Sequence, residues 1–530
     1  MSAIEVWLDI VVPVLVTGLL ARALWAAVAV EASARWLLAA PAPAHRPADR
    51  DGQAPWLVVL LPMLREQTVA AESIAAFTGL DYPAGRAAVV AITTEREHTA
   101  HARHRRRLPE LAALPTLTAA ELRGLFPASR CRPVAETVKA APRGERLVVL
   151  TKLFDAEPST ADIVTTLTAG RLEGLPLVHL HQPDVGGRKP GQLNFALDRL
   201  PDVLGPLGWR EDAHASDTFV LVYDADAVPD RATLIAFADA AAEHHSSTGR
   251  MPALIQQQRL PLLARRPFPR GLAGLLLTGE WIYQLRRSLG IELARVRLHQ
   301  WLTRSRVPEP ARMWLRPMVY AVGCGMAVHL PALRRLSGFP EPMEDLGTGH
   351  RLSLLGADLA PSAALVLDEP YTDTTGVTNL HALAFTASAR PDRHARAVAH
   401  LPGGLSRPAR YALMLREWAD QSAWLLGAPL LAVVVAGAWW AGPLWAGLAV
   451  VAVLLHGPVT TARLLTLAPV LHRRVTPPAT IGPPPCSAAA RPITLVAASP
   501  FQPFVRLAGP WRLIWAKATG RRLGFGKTER

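Results

Sequence analysis

The feature that most limits what this chain can fold into is a run of 42 residues, 421–462, without a single Asp, Glu, Lys or Arg. Leu, Ala, Val and Trp dominate the run, and a helix that spans a bilayer needs roughly 20 apolar residues. The run therefore predicts a hairpin of two spanning helices that turns at Ala441, Gly442 and Pro443. His456 and Pro458 make the second of these spans the less regular one.

A second apolar stretch covers residues 10–30 and is interrupted only by Arg22. A cleaved secretory signal would begin with basic residues, whereas Glu5 and Asp9 stand here, so we expect an uncleaved membrane anchor over residues 1–40. Basic residues follow the anchor and flank the hairpin, which places these flanks and the long middle segment in the cytoplasm, with the N-terminus outside. They are Arg35, Arg46, Arg50, Arg410, Arg416, His472, Arg473 and Arg474.

Composition narrows the kind of partner. The chain has 57 Lys and Arg against 43 Asp and Glu, a net charge of +14 that suits nucleotide phosphates, anionic membrane lipids or nucleic acid. The basic residues are dispersed and no recognition module is visible, so we expect no nucleic acid. Three cysteines, without metal-site spacing, exclude a disulfide-stapled scaffold. The Ala- and Arg-rich usage is typical of a GC-rich bacterial genome, which gives a bacterial cell membrane as the expected location.

The middle of the chain alternates strand-like and helix-like pieces. Continuous apolar runs at 56–61, 87–92, 177–180 and 219–223 predict buried strands, and 68–77 predicts a helix. This pattern indicates an α/β domain with a doubly wound, mostly parallel sheet. We expect the cytoplasmic domain over residues 41–400, an amphipathic segment and the hairpin over 401–475, and a Pro-rich linker with a basic amphipathic tail over 476–530. That tail either lies on anionic lipid or packs on the protein.

Acidic residues follow three of the predicted strands. Glu66 comes after the first strand, Glu95 after the second, and Asp224 and Asp226 after the fourth. Ligands of such sheets bind beyond the carboxyl ends of the strands, and carboxylates crowded there favour a hard divalent cation. Asp226 would point to the same side as Asp224 if the strand continued.

Two further segments carry candidate chemistry. Arg188 and Lys189 follow a pair of glycines and could neutralise a diphosphate, although a basic loop is the plainer interpretation. Glu344 and Asp345 open a predicted helix, where they either favour the helix dipole or supply a general base.

The order of these elements over residues 56–394 resembles the family 2 glycosyltransferases with the GT-A fold. The nearest in layout is their membrane-embedded branch, which includes cellulose and hyaluronan synthases and ceramide glucosyltransferases. Residues 62–66 are similar to the family's Pro-x-x-Asn-Glu, 187–194 to its Gly-Lys-x-x-x-Leu-Asn, and 224–226 to its Asp-x-Asp. Residues 323–339 resemble its glycine-bearing acceptor-side stretch, and 344–352 its Glu-Asp-x-x-x-x-x-Arg-Leu signature.

The resemblance implies transfer of a sugar, with inversion, from a nucleotide-diphosphate donor, most simply a UDP-sugar. Asp226 and Asp224 would hold Mg²⁺ or Mn²⁺, Asp345 would be the base, and Glu344 would orient it. The residues implied on the donor side are Pro62, Glu66, Glu95, Arg188, Lys189, Asn194, Asp224 and Arg393, and those on the acceptor side are Gly323, Gly325 and Arg390.

Two departures from the family pattern matter. Residues 390–394 stand where the branch has Gln-x-x-Arg-Trp, with Arg390 for Gln and His394 for Trp, which argues against processive synthesis. An insertion of uncertain role occupies about 98–175. Three spans are few for a polymer channel, so a lipid-linked acceptor is favoured over a growing glycan. A processive polysaccharide synthase and an inactive membrane scaffold stay open as alternatives.

Overall fold

The computed structural model describes residues 7–40, 54–170, 173–263, 268–479, 486, 498 and 502–521. Predictions made for Arg46, Arg50 and most of the Pro-rich linker lie outside the described residues. The α-helices of the described chain are α1 Val12–Ala39, α2 Ala70–Thr78, α3 Glu95–Arg105, α4 Leu108–Ala112, α5 Ala128–Ala140, α6 Arg146–Asp155, α7 Thr160–Ala169, α8 Arg188–Asp198, α9 Leu200–Leu204, α10 Glu211–His214, α11 Thr233–Thr248, α12 Gly271–Arg287, α13 Ala294–Arg304, α14 Glu309–Leu315, α15 Leu330–Arg335, α16 Glu344–Leu354, α17 Thr374–Ser388, α18 Pro391–Ala397, α19 Arg407–Ala441, α20 Pro443–Leu454, α21 Thr460–Arg473 and α22 Gln502–Ala518.

A mixed, mostly parallel sheet of eight strands forms the centre of the domain, in the order β3-β2-β1-β4-β7-β6-β8-β5. Strands β3, β2, β1 and β4 are mutually parallel, and β7 lies antiparallel between β4 and β6. The strands are β1 Trp56–Pro62, β2 Ala87–Thr94, β3 Leu177–Gln182, β4 Thr218–Val222, β5 Val228–Pro229, β6 Leu254–Leu260, β7 Met326–His329 and β8 Leu359–Leu367. All four predicted strands and the predicted helix after β1 are therefore confirmed.

Helices cover the sheet on both faces, which explains why β1 is apolar throughout. Side chains alternate across a strand, so Val58 and Leu60 pack with Leu193 of α8, whereas Val59 and Leu61 pack with Phe77 of α2. The sheet is thus the middle layer of an α/β/α arrangement, and its central strands β1, β2 and β4 are almost fully buried.

The predicted insertion between β2 and β3 is helical and has a hydrophobic core of its own. Helices α4, α5 and α6 bury a cluster that includes Leu122, Val138 and Phe154. Helix α7 instead packs on the sheet, because Val164 belongs to the core shared by β1 and β2. The insertion is therefore a small packed layer rather than a long loop.

Within the described ranges, three helices are long and apolar enough to cross a membrane: Asp9–Ala39, Arg407–Ala441 and Pro443–Arg473. Gly442, with a φ of +127°, and Pro443 form the turn between the last two, as predicted. A π-helical stretch at Leu455–Val459 coincides with His456 and Pro458, the residues that made this span irregular in sequence.

Two of the three long helices, Asp9–Ala39 and Pro443–Arg473, are level at both of their ends. Val12 and Val16 pack with Val434, Ala438 and Ala449, on either side of the hairpin turn. At the other end, Arg474 donates to the carbonyl of Ala40 at 2.7 Å. The start of α1 is therefore level with the turn, and its end is level with the end of α21.

Candidate functional site

The candidate site lies where the strand order of the sheet changes direction. Chain connections run outward from β1 to β2 and β3 and then return to β4 on the other side of β1. Ligands of open α/β sheets bind in the crevice that such a reversal opens beyond the carboxyl ends of the strands. Here the crevice continues into a cleft of about 330 Å³.

Lys189 is the centre of the charged groups in this cleft. Its ammonium lies 2.9 Å from Asp224 Oδ1, 2.7 Å from Glu344 Oε1 and 3.4 Å from the carbonyl of Gly323. Lys189 belongs to the first turn of α8, and Glu344 and Asp345 to the first turn of α16. The structure thus brings together residues from distant parts of the chain, Lys189 and Glu344.

Burial and charge shift the protonation of this cluster. Burial opposes the charge of Lys189, but Asp224 and Glu344 outweigh it and raise the pKa of the lysine above its ordinary value. Burial raises the pKa of Glu344, which Lys189 partly offsets. Burial likewise raises the pKa of Asp345, against the opposing effects of Lys189 and of two backbone N–H groups.

Those two N–H groups hold the Asp345 carboxylate in place. Gly323 donates to Oδ2 at 2.9 Å, and Leu346 donates to Oδ1 at 2.7 Å. Any side chain at position 323 would place its Cβ 2.9 Å from Glu344 Oε1, 3.1 Å from Asp345 Oδ2 and 3.2 Å from Lys189 Nζ. A larger residue at position 323 would therefore push against three charged groups at once.

Strand β6 forms hydrogen bonds with the glycine-containing segment 322–325, a feature that the sequence reasoning missed. Gln256 accepts the N–H of Val322 at 2.9 Å and donates to the carbonyl of Gly325 at 3.2 Å. Gly325 itself has a φ of +85°, which only glycine adopts readily. The visible signal was three consecutive glutamines, 256–258, inside a buried strand.

Asn194, expected on the donor side, holds the two halves of the cleft together. Its side chain accepts the N–H of Phe339 at 2.7 Å and donates to the same residue's carbonyl at 3.0 Å. Gln192, which the sequence reasoning passed over, donates to the carbonyls of Met63 and Ile92 at the ends of β1 and β2. Helix α8 is thus tied to both sides of the crevice. Pro62, also expected on the donor side, is the last residue of β1.

The loop that precedes α8 is conformationally strained. Gly187 has a φ of +74°, and Arg188 has a φ of +47° although it carries a side chain. Such a conformation costs of order 1–3 kcal/mol and persists only where the surrounding structure enforces it. Arg188 lines the cleft beside Lys189.

The condition under which Asp226 was expected to point to the same side as Asp224 is not met, because β4 ends at Val222 and residues 225–226 form a turn. Asp224 lines the cleft with a third of its side chain exposed, whereas Asp226 is buried and lies outside the lining. A turn breaks the alternation of side chains on which the expectation rested.

Other predicted residues stand away from the cleft lining. Glu66 is buried, and its N–H donates to Thr160 Oγ1 at 2.9 Å. Glu95 lies beside His181, between β2 and β3. Arg390 and Arg393 are exposed at the start of α18, where Arg390 pairs with Asp392.

His394, which stands where the family branch has Trp, is buried instead against α16. Its ring lies 5.2 Å from that of His350, and its Nε2 bonds the carbonyl of Ala387 at 2.7 Å. Burial and the neighbouring His350 lower the pKa of His394 to about 4. This histidine therefore packs beneath the helix that carries Asp345 and does not face the cleft.

The far end of the cleft is lined by α12 and α17, which the sequence reasoning did not single out. Gln284, Arg287 and His381 face it there. His381 bonds the buried carboxylate of Glu280 at 3.0 Å. Arg259 of β6 also lines the cleft and pairs with Asp368. These residues carried only a weak signal in the sequence, because a single polar residue in a helix or strand is usually exposed to solvent or paired within the core.

No family model and no curated protein matches the sequence. Among solved structures, the chain is similar to the mannosyltransferase PcManGT from Pyrobaculum calidifontis in complex with GDP-Man and Mn²⁺, at 16% identity and a TM-score of 0.40 over 96% of this chain and 99% of that one. It is also similar to TarS 1-349 from S. aureus in complex with UDP-GlcNAc, at 11% identity and a TM-score of 0.32 over 88% and 93%. Neither likeness is close enough to assign a fold family or an activity.

Proposed function

We propose that this protein is a membrane-bound, inverting glycosyltransferase of family 2 and of the GT-A fold, which transfers a sugar from a nucleotide-diphosphate donor. One observation carries the proposal: Lys189, Asp224, Gly323, Glu344 and Asp345 surround a single cleft beyond the ends of parallel strands. The motif order that resembles family 2 enzymes predicted this set from segments far apart in the chain.

Asp224 would hold the divalent cation, Mg²⁺ or Mn²⁺, in the cleft, and Asp226 would join it only after the turn at 225–226 brings its carboxylate to the lining. Asp224 already accepts the Lys189 ammonium at 2.9 Å, so a cation is favoured at this carboxylate. Oxygen ligands suit both ions, and Mg²⁺ in particular is usually held by one or two carboxylates while phosphates and water complete its shell. When bound, it would stabilise charge on the leaving diphosphate as a Lewis acid.

The residues of the chain itself supply the rest of the reaction. When the donor binds, Lys189 would give up its contacts with Asp224 and Glu344, and Lys189 and Arg188 would contact the donor's diphosphate. Asp345 would take the proton of the acceptor hydroxyl. The acceptor oxygen would attack the anomeric carbon of the donor sugar while the bond from that carbon to the diphosphate breaks and the nucleoside diphosphate leaves. The N–H of Gly323 holds Asp345, and Glu344 would orient it. Glu66 and Glu95 would serve the nucleoside side of the donor.

The acceptor is proposed to be lipid-linked and to enter from the cytoplasmic leaflet. Contacts of α1 and α21 with the rest of the domain support this orientation, because they involve Val30, Ala34 and Leu37 of α1 and Leu467 and Leu471 of α21, in the halves that run toward Ala40 and Arg474. The same end carries the basic residues Arg35, His472 and Arg473. Anionic lipids of the cytoplasmic leaflet attract such residues.

The test is a screen of radiolabelled UDP-, GDP- and TDP-sugars against detergent-purified protein with membrane lipid extract and Mn²⁺. We expect one donor to label lipid, and Asp345→Asn to reduce the rate by about 10²–10⁴-fold, the usual contribution of a general base. Asp202→Asn, an exposed aspartate on α9, is the matched control.

The outcomes separate the alternatives. A single added sugar per acceptor agrees with the proposal, whereas a long labelled product would favour a processive polysaccharide synthase. Failure of every donor, with no donor binding in calorimetry, would favour an inactive scaffold.

A further inference from the structure

A group of nitrogen and oxygen ligands lies at the other edge of the crevice, away from the cleft lining. Glu95 and His98 are on the first two turns of α3, three residues apart and so on one face of the helix. His181 is on β3, which pairs in parallel with β2. Among the described residues, these three form one group of His, Cys, Asp or Glu whose ligand atoms all lie within 4.8 Å of one another.

The spacing of two of these atoms matches that of ligands on one metal. His181 Nε2 lies 3.2 Å from Glu95 Oε2. Two ligands at about 2.0–2.1 Å from a tetrahedral zinc ion are about 3.3 Å apart. The two side chains keep 33% and 45% of their surface exposed, and His98 is exposed, so an ion can reach all three.

A second layer of hydrogen bonds fixes the orientation of His181. Its Nδ1 lies 2.9 Å from Thr93 Oγ1, which in turn lies 2.8 Å from His179 Nε2. His179 Nδ1 continues the chain to Thr165 at 3.2 Å. A hydroxyl both donates and accepts, so Thr93 can accept the Nδ1–H of His181 when Nε2 of that ring binds a metal. Metal-binding histidines characteristically have such a partner on the second nitrogen.

We propose that Glu95, His98 and His181 form a binding site for a divalent transition metal, zinc in the first place, with a fourth position open to water. Two imidazoles and one carboxylate suit zinc, whereas Mg²⁺ takes oxygen ligands. The site is therefore distinct from the one proposed at Asp224 and Asp226. Since Glu95 is also proposed to serve the donor's nucleoside, zinc and donor are expected to compete for its carboxylate.

The experiment measures zinc binding alone, so it does not depend on the proposed function. Full-length protein without a histidine tag is purified in detergent, freed of metal with a chelator and titrated with Zn²⁺. It carries Asp226→Asn, which removes one ligand of the other proposed metal site. We expect one zinc per chain, and His98→Ala and His181→Ala each to weaken binding by at least about 100-fold. Thr93→Val, which keeps the shape of the buried side chain, should weaken it by about 10–100-fold.

His400→Ala, another exposed histidine, should leave zinc binding unchanged. X-ray absorption at the zinc edge should show two imidazoles among the ligands in the parent protein, and fewer in either histidine variant. Unfolding temperatures in the absence of zinc confirm that each variant is folded. The proposal is overturned if the parent binds no zinc, or if binding survives both His98→Ala and His181→Ala unchanged.

Discussion

At the scale of single residues, Gly323 determines whether the charged groups of the cleft can meet. Its N–H holds Asp345, and the space beside its Cα is bounded by Lys189, Glu344 and Asp345. The sequence placed this glycine in a motif but gave no reason for it. The reason is spatial, because the groups that crowd it come from α8 and α16.

Gly323→Ala is expected to lower the transfer rate by about 10- to 100-fold, since forcing a methyl group into a filled space costs about 1–3 kcal/mol. Steady-state rates and the unfolding temperature would be measured together. Gly205→Ala is the control, because a Cβ there meets nothing within 4 Å and its φ of −53° is ordinary. Full activity in Gly323→Ala would contradict the tight cluster.

The pH profile tests the base. Burial raises the pKa of Asp345, so its active, ionised form should be lost at a higher pH than for an ordinary aspartate, about 3.9. Activity should therefore fall as pH decreases through that raised value. Lys189 lowers the pKa of this carboxyl, so Lys189→Met should move the acidic limb to still higher pH, whatever its effect on the maximum rate.

Lys139→Met, at an exposed position of α5, should leave that limb in place. The measurement is kcat/KM against pH in buffers of constant ionic strength. An acidic limb that moves to lower pH in Lys189→Met would exclude Asp345 as the group that titrates.

At the scale of elements, amide side chains join α8 to its surroundings. Gln192 binds the ends of β1 and β2, and Asn194 binds Phe339 on the opposite side. Gly338, with a φ of +91°, has no room for a Cβ because Asn194 Oδ1 would lie 2.5 Å from it. The position of Lys189 therefore depends on contacts one turn farther along its helix.

Asn194→Ala is expected to lower stability by about 1–3 kcal/mol, because the N–H and carbonyl of Phe339 lose their partner. The KM for the donor should rise, since the start of α8 is no longer held. Asn194→Asp keeps an acceptor for the N–H but has no donor, so its effect should be intermediate. Asp198→Ala, exposed at the end of the same helix, should change neither quantity.

How far the sequence could predict the elements depended on whether their signal was local. The strands, the hairpin turn and the first turn of α16 carry local signals, namely apolar runs, a Gly-Pro pair and paired carboxylates. The place of Asp226 depended on whether β4 continued past Tyr223, and no Gly or Pro at 223–226 marks the point where the strand ends. Gln256 and His181 gained meaning only when β6 came beside residues 322–325 and β3 beside β2.

At the scale of the whole molecule, the expected orientation can be measured. A cysteine at Ala441, at the hairpin turn, should react with a membrane-impermeant maleimide in intact spheroplasts. A cysteine at Asp202 should react only after permeabilisation. Cys131 and Cys324 are buried, so Cys486→Ala is the sole background change needed. The reverse labelling pattern would place the catalytic domain outside.

Helix α1 and the domain that contains the sheet share one hydrophobic cluster. Val30, Ala34 and Leu37 of α1 are buried in the same cluster as Leu260 of β6 and Trp281 of α12. Removing residues 1–40 to obtain a water-soluble protein would therefore expose this hydrophobic cluster to water, and the remaining chain should aggregate. Biochemistry on this protein has to begin with the intact polypeptide in detergent or lipid.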